Sequence, residues 1–402
     1  MKDSAVGTGC RWLKPLIIAA VIVAGVAAAT LAAAATVVAL FARKVVTPPQ
    51  RRTEDARILG SRSVHIAGET EAVAVVELAL DDDTRVEGRY GLWFDNDGGH
   101  ARVGEIVARS EHSVTRRLLQ TDFGKMRGEQ AARWSGWFYL GPWEFDLPSE
   151  NVTIQTPVGP APAWWVPAAE PSGRWVISVH GRAVRRQECL RSVPVVNAAG
   201  LHNLLVSYRN DGEAPESDDG RYGLGDTEWL DVAAAMEFAV DHGATELVLM
   251  GWSMGGAIAM QASQRAELRH RVKGVILESP AVDWRDILNF QGTSYGLPSA
   301  VNTAVMHTLG SSWGRSVTGL REAIDFERLD LVKSADTLTV PMLILHSVDD
   351  GYVPVNGSRA LAAARPELVT FEEFTTARHT KLWNYDPDRW NNAIATWLND
   401  HQ

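Results

Sequence analysis

Apolar positions fall into three regimes along the chain. The first is an unbroken run, residues 16–42, reading LIIAAVIVAGVAAATLAAAATVVALFA without a charge. About 20 apolar residues suffice for a helix to cross a bilayer. The run therefore predicts a transmembrane signal-anchor helix after a tail, 1–15, with Trp12, Lys14, Arg43 and Lys44 as interfacial anchors. A cleaved signal peptide is the rival reading, because Ala33 to Ala35 offer an A-x-A-like site, although the run is long for that role. Lys2, Arg11 and Lys14 precede the run and Arg43, Lys44, Arg51 and Arg52 follow it, a slight lean toward a cytoplasmic C-terminal side that leaves the side of the main domain open.

The second regime is alternation. After a polar, proline-bearing linker (43–60), the segments EAVAVVELAL, TRVEGRYGLWFD and HARVGEIVARS alternate apolar with polar, as half-buried strands do. Asp95 to Gly99 (DNDGG) marks a hairpin turn between two of them. Residues 61–150 are thus expected to form a small β-rich module ending in an aromatic cluster, Trp134 to Phe145, which reads as packing.

In the third regime, 151–402, short continuous apolar runs alternate with helical stretches. RWVISVHG, NLLVSYRN, ELVLMGWS, KGVILES, VPMLILHS and ELVTFEEF are strands covered on both faces. TEWLDVAAAMEFAVDHG and GGAIAMQASQRAEL are helices between them, and Asp386 and Pro387 open a terminal one. The class is α/β, with a mostly parallel sheet flanked by helices. Residues 284–329 interrupt the alternation and are expected to form a cap, or else ordinary helical packing.

Composition changes this picture little. Charged residues make up 22% of the 402, and the net charge of −10 argues against a nucleic-acid partner. The two cysteines, Cys10 and Cys189, lie on opposite sides of the apolar run, so no disulfide is expected. No metal or cofactor is expected either. The acidic, glycine-rich segment 211–226 departs from the EF-hand spacing and reads as a solvated loop.

Chemistry enters with Gly251-Trp252-Ser253-Met254-Gly255. This is G-x-S-x-G after a strand and before a helix, the context in which a strained turn exposes a nucleophilic serine. The acid and the histidine should follow in that order. Asp350, in the loop after VPMLILHS, and His379, in the loop after ELVTFEEF, meet that requirement at the carboxyl ends of strands. Asp349 is an alternative acid and Asp283 a weaker one, while His346 reads as structural and His180, His202 and His242 come too early. Oxyanion donors are expected from the backbone N–H of Met254 and of Arg182, which follows the His180-Gly181 turn. Arg182, Arg185, Arg186 and Arg191 read as a solvated face, or else as an anion-selecting group.

Together these residues resemble the α/β-hydrolase superfamily, from about Val152 to the C-terminus. Within it the chain is similar to membrane-anchored bacterial carboxylesterases, lysophospholipases and prolyl-oligopeptidase-type peptidases. It departs from the usual acid motif in having Ser347 after His346. The resemblance implies an α/β-hydrolase fold and hydrolysis of a small-molecule ester through an acyl-enzyme on a Ser253-Asp350-His379 triad. A peptidase and an inactive membrane-tethered interaction protein remain as alternatives; the β-rich module is short for a multi-bladed propeller. Oligomeric state is left open.

Overall fold

The computed structural model describes residues 13–401 apart from 67, 127, 129 and 171. Expectations for Lys2, Cys10, Arg11 and Trp12 lie outside the described residues, as does the side chain of Lys14. Helix α1 spans Leu13–Val46. Its segment Ile22–Val46 is long and apolar enough to cross a membrane. Side chains from Ile22 to Thr36 are exposed, whereas Ala42 and Val46 are fully buried. The helix therefore runs four residues past the expected end of the apolar run, where a linker was expected, and closes on buried Val46.

Alternation produces strands β1 (Ala56–Val64), β2 (Val73–Ala79), β3 (Tyr90–Phe94), β4 (Gly99–Arg109), β5 (Ser113–Phe123) and β6 (Gln130–Ser135). They close in the order β1-β2-β5-β4-β3-β6 into a barrel, which removes free edges. Inward positions such as Ile58, Leu78, Leu92, Phe94 and Val103 fill it. The turn at Asp95, Asn96 and Asp97 takes φ values of 57°, 52° and 65°, a left-handed conformation that Asn and Asp tolerate best after glycine. β5 also carries a fully buried charge, Arg116, whose guanidinium donates to the carbonyls of Thr84, Val86, Gly88 and Gly104.

An antiparallel hairpin, β7 (Glu150–Thr156) and β8 (Gly159–Val166), leads into the main sheet. The remaining strands are β9 (Arg174–Val179), β10 (His202–Val206), β11 (Glu246–Trp252), β12 (Val272–Glu278), β13 (Met342–Ser347) and β14 (Val369–Phe374). The eight-stranded order is β14-β13-β12-β11-β9-β10-β8-β7, with β9 to β14 mutually parallel. Residues Trp175–Val179, Leu247–Trp252 and Met342–Ser347 are buried throughout, because helices cover both faces. The helices are α2 (Val193–Ala198), α3 (Trp229–Asp241), α4 (Met254–Arg265), α5 (Trp284–Ser294), α6 (Ser299–Leu309), α7 (Arg315–Thr318), α8 (Asn356–Ala364), α9 (Leu382–Tyr385) and α10 (Pro387–Asp400). The chain leaves β9 toward β10 and returns to β11 on the other side of β9. In open α/β sheets ligand sites form at the carboxyl ends of the strands flanking such a reversal, here β9 and β11.

Helices α5 to α7 occupy the interrupting segment, and the end of α1 packs on α6 and α7. Phe41 meets the Tyr295 ring edge-on at 5.6 Å, and the Lys44 ammonium lies 4.6 Å from the centre of the same ring.

Candidate active site

Strand β11 ends at Trp252 and α4 begins at Met254, so Ser253 makes the whole turn between them, with φ 53° and ψ −118°. A non-glycine residue held there stores about 1–3 kcal/mol of strain. Crowding explains the glycines. A Cβ on Gly251 would lie 2.3 Å from the Gly255 carbonyl oxygen, and one on Gly255 would lie 2.2 Å from that of Val179. Behind the turn, the Ser253 N–H donates to the Glu278 carbonyl (3.0 Å), and the Ser253 carbonyl accepts from Ala281 (3.0 Å).

Around this serine the structure brings together the residues expected from the sequence. His379 Nε2 is 3.0 Å from Ser253 Oγ, and its Nδ1 is 2.7 Å from Asp350 Oδ2. Those partners assign the proton of a neutral imidazole to Nδ1 and leave Nε2 free to accept. The other Asp350 oxygen accepts from the N–H groups of Tyr352 and Val353, both at 2.8 Å. Burial works to raise the Asp350 pKa, but His379 and His346 outweigh it and hold the carboxyl far below its ordinary range. The Tyr352 ring stacks on His379 at 5.4 Å.

The alternative acids do other work. Asp349 Oδ1 accepts from the backbone of Ala377 (3.1 Å) and Arg378 (3.0 Å), tying down the histidine loop. Asp283 caps α5 through the N–H groups of Arg285 and Asp286. His346 is fully buried between Ser358 Oγ (2.8 Å) and the Val353 carbonyl (3.0 Å), and its Nε2 lies 3.2 Å from Asp350 Oδ2. Both its ring nitrogens are thus partnered inside the fold, one of them beside Asp350.

Opposite the serine, Gly181 is so close that a Cβ on it would lie 3.3 Å from the Ser253 Cβ. Its N–H is taken by Glu188 Oε2 at 2.7 Å and its carbonyl by the Tyr208 hydroxyl at 2.7 Å. The next N–H along this turn belongs to Arg182, followed by Ala183 at φ 63°. Met254, as the first residue of α4, has an N–H with no intrahelical acceptor. His180, too early in the chain for the triad, is buried 3.1 Å from Asp211 and stacks on Tyr208, fixing the same turn.

The arginines after the His-Gly turn form no solvated face. Arg182 donates to the carbonyls of Lys44 (3.0 Å) and Val45 (3.1 Å), which end α1 without intrahelical N–H donors, and to that of Thr47 (3.1 Å) just beyond it. Arg186 pairs with Glu213, and Arg191 is buried against the Thr380 carbonyl (2.6 Å) and Asn384. Each is held by carbonyls or carboxylates from distant segments, which local charge spacing does not reveal. Segment 211–226 is likewise less solvated than expected: Asp211 is buried on His180, and Asp226 pairs with Arg265 and Arg328. Cys189 is fully buried, and burial pushes its thiol pKa well up.

Sequence reasoning missed Glu278. This fully buried carboxylate accepts from the indoles of Trp252 and Trp390, both at 2.8 Å, and from the Leu382 N–H (3.2 Å). The available signal was a lone acid ending the apolar strand KGVILES.

A serine on a strained strand-to-helix turn of a mostly parallel sheet defines the α/β-hydrolase class. The chain belongs to the alpha/beta hydrolase family, whose model matches residues 176–393. Residues 63–135 match a domain of unknown function (DUF8805). Among solved structures, an esterase from Pyrococcus furiosus is similar at 18% identity and a TM-score of 0.50, covering 65% of this chain and 94% of its own. A thermophilic esterase from Thermogutta terrifontis is 20% identical, covering 63% of this chain and 100% of its own, with a TM-score of 0.45. At 18% identity the likeness to the Pyrococcus structure is one of fold. A comparison with curated proteins gives no match.

Proposed function

We propose that the protein is a serine esterase that hydrolyses a small-molecule carboxylic ester through an acyl-enzyme. Ser253 Oγ attacks the ester carbonyl while His379 Nε2 takes its proton. The tetrahedral oxyanion is held by the N–H groups of Met254 and Arg182. Collapse expels the alcohol, which receives the proton from His379. Water, deprotonated by the same imidazole, then releases the acid and restores the serine. Asp350 keeps the ring in the correct tautomer and stabilises its charged form. The reading rests above all on one observation: a single imidazole bridges Ser253 (3.0 Å) and Asp350 (2.7 Å). The esterase neighbours make ester cleavage the first activity to test.

The same reading anchors the enzyme in a membrane through α1. The helical residues 16–36, exposed from Ile22 onward, would extend about 31 Å at 1.5 Å per residue, which matches a hydrocarbon core of about 30 Å.

Fluorophosphonate labelling of the wild type and of Ser253→Ala tests the nucleophile, with labelling expected only in the wild type. Equal labelling of the variant, or none of a folded wild type, overturns the reading. A panel of matched p-nitrophenyl esters and peptide anilides tests the bond cleaved, with turnover expected of the esters.

A further inference from the structure

His379 sits on a loop under backbone strain: Arg378 has φ 64° and Thr380 φ 49°, one on either side of it. Non-glycine residues keep such angles only where their surroundings over-determine them. The hydrolase supplies part of the restraint. Asp349 holds Arg378 from below, Ser279 Oγ accepts from the Thr380 N–H (3.2 Å), and Arg191 donates to the Thr380 carbonyl.

The rest comes from the barrel. Asp83, in its β2–β3 loop, places one carboxylate oxygen 3.4 Å from Arg378 Nε and 3.4 Å from Lys381 Nζ. One acid thus bridges the two basic side chains that flank His379. Just beyond, the Arg89 N–H donates to the Asn384 carbonyl, and the Asn384 amide donates to the Arg89 carbonyl, both at 2.9 Å. Gly88 makes this approach possible, since a Cβ there would lie 2.2 Å from the Asn384 carbonyl oxygen.

The barrel loop is itself rigidly held. Asp81 accepts from the N–H groups of Asp83 (2.8 Å) and Thr84 (2.7 Å), and buried Arg116 gathers the carbonyls of Thr84, Val86 and Gly88. A buried guanidinium without a carboxylate partner is costly. Here it fastens the barrel loop whose Asp83 reaches both Arg378 and Lys381.

We propose that the β1–β6 barrel is a positioning unit for the His379 loop, with Asp83 as the positioning residue bridging Arg378 and Lys381. This gives a role to residues matched only to a domain of unknown function, and it rests on the esterase reading above. Asp83 touches no reacting atom; it acts by keeping Nε2 in line with Ser253 Oγ. Other titratable groups near this contact are Asp55, just before β1, the neutral Tyr90 hydroxyl of the barrel, and Asp349 and Asp350 of the hydrolase.

The test uses the full chain with p-nitrophenyl acetate turnover and the fluorophosphonate inactivation rate, each followed against pH. Asp83→Ala is expected to lower kcat and the inactivation rate by about tenfold to a hundredfold, the range for a small misplacement of a reacting group, with KM little changed. Removing this negative charge from beside Arg378 and Lys381 should also shift the pH profiles of both rates, which a purely structural role would not do. Asp83→Glu should restore most of the rate. Arg62→Ala, on an exposed barrel pair with Glu77, should leave all readings unchanged, and thermal unfolding of Asp83→Asn checks that the barrel stays folded.

Wild-type kcat and pH profile in both Asp83→Ala and Asp83→Asn, with Ser253→Ala inactive, would overturn the barrel's role and leave the esterase reading standing. Ser253→Ala as active as the wild type would instead remove the esterase reading.

Discussion

His379 Nε2 and Ser253 Oγ, separated by 126 positions in the chain, lie 3.0 Å apart. Their pairing depends on Asp350 holding the opposite ring nitrogen. Asp350→Asn keeps the shape and loses the correct tautomer, so kcat should fall by about 10⁴. Asp349→Asn leaves the imidazole contact intact, so its loss of rate should be far smaller. Ester turnover by the two variants, compared at one pH, separates the neighbouring carboxylates; the reverse ranking would reassign the acid.

Asp350 also links stability to pH. Its carboxyl titrates far below the ordinary range in the folded chain and near about 3.9 when unfolded. Between those values the unfolded chain binds more protons, so stability rises with pH. The contribution is complete above about pH 4 and is lost as the pH falls further. Urea midpoints measured at pH 6 and pH 3 should differ less in Asp350→Asn than in the wild type.

Gly255→Ala should be poorly tolerated, because its Cβ would meet two backbone carbonyls, at 2.2 Å and 2.4 Å, that have no side-chain freedom to move. A loss of about 1–3 kcal/mol or more is expected from such overpacking. Gly60→Ala, which would meet nothing within 4 Å, should stay within about 0.5 kcal/mol of the wild type. Denaturant unfolding of the pair checks the contrast.

Glu278 ties the strand behind the serine to the C-terminal helix through two indoles. Glu278→Ala leaves both indole N–H groups and the nearby Arg191 without that acceptor, and should cost about 3–5 kcal/mol. Glu278→Gln keeps one acceptor oxygen and should cost less. Calorimetry of the two variants measures the difference.

Helix α1 supplies carbonyls to Arg182, whose N–H is the proposed second oxyanion donor. Removing residues 1–36 spares those carbonyls, whereas removing 1–47 deletes them along with buried Ala42 and Val46. The shorter truncation should keep near-wild-type kcat, and the longer one should lower both kcat and melting temperature. Esterase assays on the two truncated chains decide this.

What was readable in the sequence was what its spacing encodes locally. The elbow is five consecutive residues, and β9 to β13 are apolar runs whose burial on both faces follows from composition. Closure of the barrel was not readable, because alternation predicts strands but β1 meets β6 only through pairing across the whole module. The arginines were misread for a related reason. Nothing near Arg182 or Arg191 in the chain reveals that its acceptors lie at positions 44–47 or at 380. Asp350 could be preferred over Asp349 from its place in the loop, but which of them faces His379 is a matter of side-chain direction.

The end of α1 is held by Arg182 and buried in the hydrolase core, with no slack chain between the apolar stretch and the catalytic body. A flexible tether would let the serine sweep a volume around its attachment point. A welded helix instead sets height and tilt, so whatever apolar layer takes up residues 22–36 also decides how far Ser253 stands above it. Inserting or deleting a single residue in the last turns of α1 would rotate that attachment by about 100°, making helix register, rather than linker length, the quantity that governs the enzyme's reach.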